Sequence, residues 1–201
     1  MFDFDGVFVQ TLEHAFSIHS YENPNFHWED FKAMSDGNFH EEYQKRVTNT
    51  VHISPKNFGK LYNSNLQFLS IEDKMRSLIR SLSKDYLLYI ISSTESVYIK
   101  AFLTKEKIED CFLEILGSDI HRSKVVKIKS VLDQLSVNPK NCIFVTDTVG
   151  DIKEACICGV ASIAVTWGLH EKERLEKENP FSIVDTPEQL HQTIENFFIK
   201  I

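Results

Sequence analysis

The sequence predicts an α/β domain, a parallel sheet with helices on both faces. Three observations carry this. Short apolar runs rich in Tyr, Ile, Val and Phe recur through the second half of the chain, as in strands buried on both faces. Stretches of helical periodicity separate them, and strand–helix alternation implies right-handed crossovers and parallel strands. At 201 residues the chain is long enough to bury a real core, as one domain or a core with a modest insertion.

The opening stretch, MFDFDGVFVQ, places Asp3 and Asp5 in an apolar run that Gly6 breaks, so MFDF reads as the end of a strand. YLLYIIS (86–92) is the next buried strand, CFLEILG (111–117) a weaker one, CIFVT (142–146) another, and VASIAVTWG (160–168) the last central one. Behind Ser123 as N-cap, Ile128, Val131, Leu132 and Leu135 recur at helical spacing. GDIKEACICG reads as a helix that ends at Gly159. In TPEQLHQTIENFFIKI, Thr186 caps, Pro187 takes the first helical position and Gln189 completes a capping box. Leu190, Ile194, Phe197 and Phe198 make one face of that helix.

Residues 13–83 break the rhythm with aromatic, Asn and His residues and few strand-like runs. SIEDKMRSLIRSLS is helical, with Ser70 as cap and Ile71, Met75, Leu78, Ile79 and Leu82 along one face. WEDFKAM and NFHEEYQKR centre two or three further helices. A structureless loop of about seventy residues does not belong in a compact domain. The segment 13–83 therefore reads as a helical insertion, and 1–12 with 84–201 as the α/β core. Ligands of open α/β sheets sit beyond the carboxyl ends of the strands, and the insertion would stand over that edge.

Composition narrows the function classes. The chain is 42% apolar and 25% charged, and 22 Lys and Arg against 29 Asp and Glu give a net charge of −7. That balance disfavours a nucleic-acid partner. No run approaches the ~20 apolar residues of a membrane span, and no basic region leads into an apolar segment, so the expected location is the cytoplasm. Cys111, Cys142, Cys156 and Cys158 lack the paired spacing of a zinc site and read as buried free thiols. The sequence sets no oligomeric state.

The acids carry the chemistry. Residues two apart on a strand point the same way, so Asp3 and Asp5 face one cavity. Carboxylates that close repel unless a cation or proton lies between them. A second pair, Asp147 and Asp151 in TDTVGD, follows another buried strand. If the two strands are neighbours, the pairs converge on a site suited to Mg²⁺, which favours hard oxygen ligands. Ser92 ends the strand YLLYII, where a hydroxyl and nearby N–H groups hold an anion, and Ser93 can fill the same role. Lys124 opens a helix where its charge can neutralise a phosphoryl group, with Lys127 one turn later as its competitor. Thr11, Glu13 and His14 stand where the insertion begins. The plainer reading of Asp147 and Asp151 alone is a helix cap and a first-turn acid.

This ordered set resembles the four motifs of the haloacid dehalogenase (HAD) superfamily: DFDGV the first, IISS the second, Lys124 the third and TDTVGD the fourth. SIAVTWGLHEKERLEKENPFSIVDTPEQL resembles the C-terminal stretch of the phosphoglycolate phosphatase-like branch, which carries a helical cap where the insertion lies here. The resemblance implies a Rossmann-like core and a phosphatase acting on a small phosphorylated substrate of the phosphoglycolate or sugar phosphate type. It assigns Asp3 as nucleophile and Asp5 as general acid and base. Ser92, Ser93 and Lys124 would hold phosphoryl oxygens. Mg²⁺ would be held by Asp3, the backbone carbonyl of Asp5, Asp147 and, through water, Asp151. Asp5 favours phosphate esters over halides, because a departing alkoxide needs a proton. A phosphomutase of the β-phosphoglucomutase type uses the same acids, and a catalytically silent binding module would keep the same fold. The chain departs from the family at Thr146, where Gly is usual, and at Gln10, where Asp is frequent. Only Met1 and Phe2 precede Asp3, so a few more apolar residues are expected before Met1 in the natural chain.

Overall fold

The computed structural model describes residues 1–22, 25–46 and 55–199. Its strands are β1 (Tyr89–Ile91), β2 (Glu114–Leu116), β3 (Ile143–Thr146), β4 (Ala161–Val165) and β5 (Ser182–Val184). β1 pairs with β2, and β3 with β4 and β4 with β5, all in parallel. Residues 1–3 join the two groups. The Phe2 N–H donates to the Tyr89 carbonyl and the Ile91 N–H to the Phe2 carbonyl, both at 2.9 Å. On the other side the Asp3 N–H donates to the Val145 carbonyl at 2.9 Å and the Val145 N–H to the Met1 carbonyl at 3.0 Å. The order across the sheet is thus β2, β1, residues 1–3, β3, β4, β5. Asp3 leaves the middle of the sheet at its carboxyl edge.

Ten α-helices lie among the described residues. They are α1 (Leu12–Glu22), α2 (Trp28–Met34), α3 (Phe39–Arg46), α4 (Pro55–Leu66), α5 (Asp73–Leu82), α6 (Ser96–Lys105), α7 (Lys124–Leu135), α8 (Val149–Ile157), α9 (Lys172–Glu176) and α10 (Pro187–Ile199). Alternation along the strands sorts the core into two faces. Phe2, Ile90, Val145 and Ile163 pack with Ile79 of α5, Leu103 of α6 and Leu190 of α10. Met1, Tyr89, Ile91 and Phe144 pack with Ile128 of α7 and Ala155 of α8. Each fully buried aliphatic side chain of this kind stabilises the fold by about 1.5–3 kcal/mol. The α/β architecture with helices on both faces is the one expected from sequence.

Several details differ from the sequence reading. α6, α9 and the short edge strand β5 were not expected. The helix α5 is preceded by Glu72 rather than capped by Ser70. Ser123 precedes α7 without a capping bond of its own; the Glu154 carboxylate of α8 accepts the Lys124 and Val125 N–H groups at 2.9 and 3.3 Å instead. Thr186 and Gln189 do cap α10, the former accepting the Gln189 N–H at 3.2 Å and the latter the Asp185 N–H at 2.7 Å. Of the four free cysteines only Cys158 is buried, and Cys156 is exposed.

Within residues 13–83, α5 puts Met75, Leu78, Ile79 and Leu82 into the core cluster beneath the sheet. The described part before it forms four helices rather than two or three. α1 packs on α4 and α2 on α3, with Phe16, Trp28 and Phe31 in mutual ring contact at 5.1–5.9 Å between centroids. The turn after α2 docks on the start of α8, where the Gly150 N–H donates to the Ser35 carbonyl at 2.8 Å. Arg174 of α9 holds Asp36 by two bonds, at 3.0 and 2.5 Å. His170 links α8 to α2, accepting the Val149 N–H on Nδ1 at 3.0 Å and donating from Nε2 to the Lys32 carbonyl at 3.0 Å. Among the described residues no helix is long and apolar enough to cross a membrane.

Candidate active site

The carboxyl edge of the sheet opens into a cavity of about 110 Å³, bounded by the sheet edge and by α1 and α4. That is roughly four times the share of one water in the liquid. Asp3, Asp5, Lys124, Asp147 and Asp151 all line it. The two acidic pairs, far apart in sequence, converge because residues 1–3 and β3 are neighbours in the sheet.

Lys124 stands at the centre. Its ammonium lies 2.9 Å from Asp3 Oδ2 and 2.6 Å from Asp151 Oδ2, and all three side chains are buried. Burial opposes the charge on Lys124, but the Asp151 and Asp3 carboxylates outweigh it and hold the ammonium above the ordinary lysine range. Burial pushes the Asp3 carboxyl well up, Lys124 pulls it down, and Asp151, Asp147 and Asp5 push it up further. Lys127 lies elsewhere: its ammonium meets the carbonyls of Ser92 and Gly117 at 2.5 and 3.3 Å, and burial lowers it to about 8. Of the two candidate lysines, Lys124 is the one that reaches the acids.

Asp5 accepts three hydroxyl donors. Thr11 donates to Oδ1 at 2.5 Å, Tyr62 of α4 to the same oxygen, and Thr94 to Oδ2 at 2.7 Å. Asp147 is fully buried, and Gly6 and Gly168 fit tightly around it. A Cβ on Gly6, whose φ is +72°, would meet Asp147 Oδ2 at 2.0 Å, and one on Gly168 would meet its Cβ at 2.2 Å. Asp147 Oδ2 accepts the Leu169 N–H at 2.8 Å, whereas Oδ1 is buried without a partner among the described residues. Burial lifts this carboxyl to about 7, against the Leu169 N–H and with help from Asp151.

Asp151 sits in the first turn of α8, its N–H directed at the Thr148 hydroxyl. Thr146, at the position where Gly is usual, donates to Asp151 Oδ2 at 2.7 Å and so anchors that acid beside Lys124. Ser93 lines the cavity together with Thr94. Ser92 is fully buried, and its hydroxyl oxygen accepts the Thr94 N–H at 3.0 Å. Sequence reasoning missed Tyr62, Thr94 and His170. Tyr62 is 57 positions from Asp5, and no local pattern joins the two.

The resemblance expects Mg²⁺ on Asp3, the Asp5 carbonyl, Asp147 and, through water, Asp151. Among the described residues no group of three or more His, Cys, Asp and Glu side chains is placed to hold a metal. Lys124 stands between Asp3 and Asp151, and hydroxyls bond both carboxylate oxygens of Asp5, whose backbone carbonyl is the expected ligand. What is left is the unpaired Asp147 Oδ1 near Asp3. A buried carboxylate oxygen without a donor is an incomplete site, and a hard divalent cation would complete it. The oxygen donors present fit the chemistry of Mg²⁺.

Residues 1–165 match the family model of the haloacid dehalogenase-like hydrolases. The chain belongs to that family. It is similar to a phosphoglycolate phosphatase of Synechococcus elongatus, 23% identical over 96% of this chain and 95% of that one. It is also similar to a phosphoglycolate phosphatase of Vibrio vulnificus, 20% identical over 81% of this chain and 65% of that one. Among solved structures, a predicted phosphatase from Clostridium acetobutylicum superposes with a TM-score of 0.77 at 20% identity, covering 97% of this chain and 96% of that one. A predicted phosphoglycolate phosphatase from Haemophilus somnus superposes with a TM-score of 0.74 at 18% identity, with 96% of each chain covered. At these identities the structural likeness establishes the fold.

Proposed function

We propose that this HAD-family hydrolase is a Mg²⁺-dependent phosphatase that cleaves a small phosphorylated metabolite through an aspartyl-phosphate. The observation that carries the reading is Lys124, bonded at once to Asp3 and Asp151 beside the unpaired oxygen of Asp147. A nucleophilic carboxylate in a buried cavity needs a fixed counter-charge, and Lys124 supplies it without further rearrangement.

In the proposed reaction a carboxylate oxygen of Asp3 attacks phosphorus and forms an O–P bond as the ester P–O bond breaks. Asp5 gives its proton to the departing alkoxide. It then takes a proton from the water that attacks the aspartyl-phosphate, which releases inorganic phosphate and restores Asp3. Lys124 and the Ser92–Thr94 turn hold the non-bridging oxygens. Asp147, with Asp3 and the Asp5 carbonyl, would hold Mg²⁺, whose charge stabilises the transferring phosphoryl group. We assign α1–α4 as the cap over the site, with α5 part of the core on which it is mounted. Tyr62 and Thr94 meet on Asp5, so a cap helix and a core loop both fix the acid that moves the proton.

The relatives named above make 2-phosphoglycolate a first substrate to assay, with sugar phosphates beside it. The test of the reading itself needs no natural substrate. Hydrolysis of a generic aryl phosphate should require Mg²⁺ and vanish in Asp3→Asn. A folded chain with no Mg²⁺-dependent turnover would refute it.

A further inference from the structure

The cavity around the acids does not end at the space for a phosphoryl group. Its walls Phe58, Tyr62, Ser93 and Thr94 also bound a second chamber of about 450 Å³. That volume lies within the range of small-molecule sites and far exceeds the 110 Å³ beside Asp3. Tyr62 marks the junction, with its hydroxyl on Asp5 and its ring in the chamber wall.

The chemistry of the chamber restricts what it takes. One wall is aromatic: the His19 and Phe58 rings stack at 4.8 Å and 29°, and Phe58 and Tyr62 lie at 6.0 Å and 18°. His19 and His40 both line the chamber, and the Nε2 of each is buried without a hydrogen-bond partner among the described residues. Burial lowers both imidazoles to about 4, with Arg122 adding to the effect on His40, so both are neutral near pH 7. A neutral imidazole nitrogen bonds to an amide, a ring nitrogen or a hydroxyl and gives no charge to a carboxylate. The charged residues of the lining, Glu95, Asp119 and Arg122, do not sum to a cationic patch. A two-carbon acid such as glycolate would leave the ring faces bare and its own carboxylate poorly matched.

We propose that the substrate is a phosphate monoester whose alcohol is of nucleoside size and carries a planar heteroaromatic ring. The ring sits against the aromatic wall, in the part of the chamber that His19 and His40 line. The proposal rests on the phosphatase reading and narrows its leaving group; the bonds made and broken are those given above.

The experiment measures kcat/KM of the full chain with Mg²⁺ for adenosine and uridine 5′-monophosphates, 2-phosphoglycolate, glucose 6-phosphate and acetyl phosphate. Burial of a ring predicts a preference of about ten- to hundredfold for the nucleoside monophosphates over phosphoglycolate and glucose 6-phosphate. His40→Ala, which removes part of the chamber wall, should lower the ratio of nucleoside monophosphate to acetyl phosphate turnover by about two- to tenfold, the effect of lost contact with the ring. A preference for phosphoglycolate or the sugar phosphate would overturn the inference and leave the phosphatase reading standing. So would a ratio unmoved by His40→Ala. No Mg²⁺-dependent turnover of any ester would overturn both.

Discussion

Replacing Lys124 with methionine tests the electrostatic centre of the site. The substitution keeps much of the side-chain volume and removes the ammonium that bonds Asp3 and Asp151. Breaking a buried ion pair by removing one partner costs about 3–5 kcal/mol, because a charge is left without compensation. At about 2–4 °C per kcal/mol for a chain of this length, the melting temperature should fall by roughly 6–20 °C at pH 8. The loss should depend on pH, with a sign that follows from Asp3. Its carboxyl already lies above its unfolded value near 3.8, and Lys124 is the neighbour that pulls it down. Without Lys124 the folded value rises further. A carboxyl with a raised folded value loses stability as pH rises from the unfolded value through the folded one. The deficit should therefore be smaller near pH 4–5, where folded Asp3 carries a proton in both proteins and only the Asp151 bond is lost, and full at pH 8. Calorimetry of wild type and Lys124→Met at the two pH values reads it directly. Equal losses at both, or a loss below about 1 kcal/mol at pH 8, would refute the reasoning.

Two further predictions rest on the same edge of the sheet. Glu154→Ala leaves the Lys124 and Val125 N–H groups without their acceptor, and at about 1–2 kcal/mol each it should lower stability by roughly 2–4 kcal/mol in thermal unfolding; Glu154→Gln, which keeps an acceptor oxygen, should recover most of that. Mg²⁺ at a hundredfold excess over its Kd should stabilise wild type by about 2.7 kcal/mol and leave Asp147→Asn unmoved in a thermal-shift titration. Because Asp147 titrates at about 7, protonation should weaken Mg²⁺ binding by roughly tenfold for each pH unit below that value, and a pH-independent affinity would count against Asp147 as the ligand.

Much of the core was legible because burial on both faces leaves a direct mark in sequence. Ile90, Ile91, Phe144, Val145, Ile163 and Val165 belong to uninterrupted apolar runs and are all fully buried. Likewise, Met75, Leu78, Ile79 and Leu82 are spaced for the face that α5 presents to the core. The elements that escaped notice are short or weakly patterned. β5 holds only Ser182, Ile183 and Val184. α9 is five residues long with one buried side chain, Leu175. α6 did carry a readable signal in Ile99, Phe102 and Leu103, apolar residues at helical spacing.

The site divides in the same way. Asp3 with Asp5, and Asp147 with Asp151, were visible as acids at the ends of apolar runs, and Lys124 as a lysine opening a helix. The choice between Lys124 and Lys127 was not visible, since both are buried on α7 and only their directions differ. Nor was the cap of α7, which comes from Glu154 on another helix rather than from Ser123 beside it.

The α/β class, most of the buried strands and the order of the chemical groups follow from the sequence, because periodicity and neighbour chemistry are local properties of the chain. Which groups touch is a matter of the folded arrangement. The placing of residues 1–3 between β1 and β3 brings Asp3 to Asp147, and the packing of α4 over that edge brings Tyr62 to Asp5. Such contacts depend on strand order and helix docking, and these are set by the packing of the whole core rather than by the residues that meet.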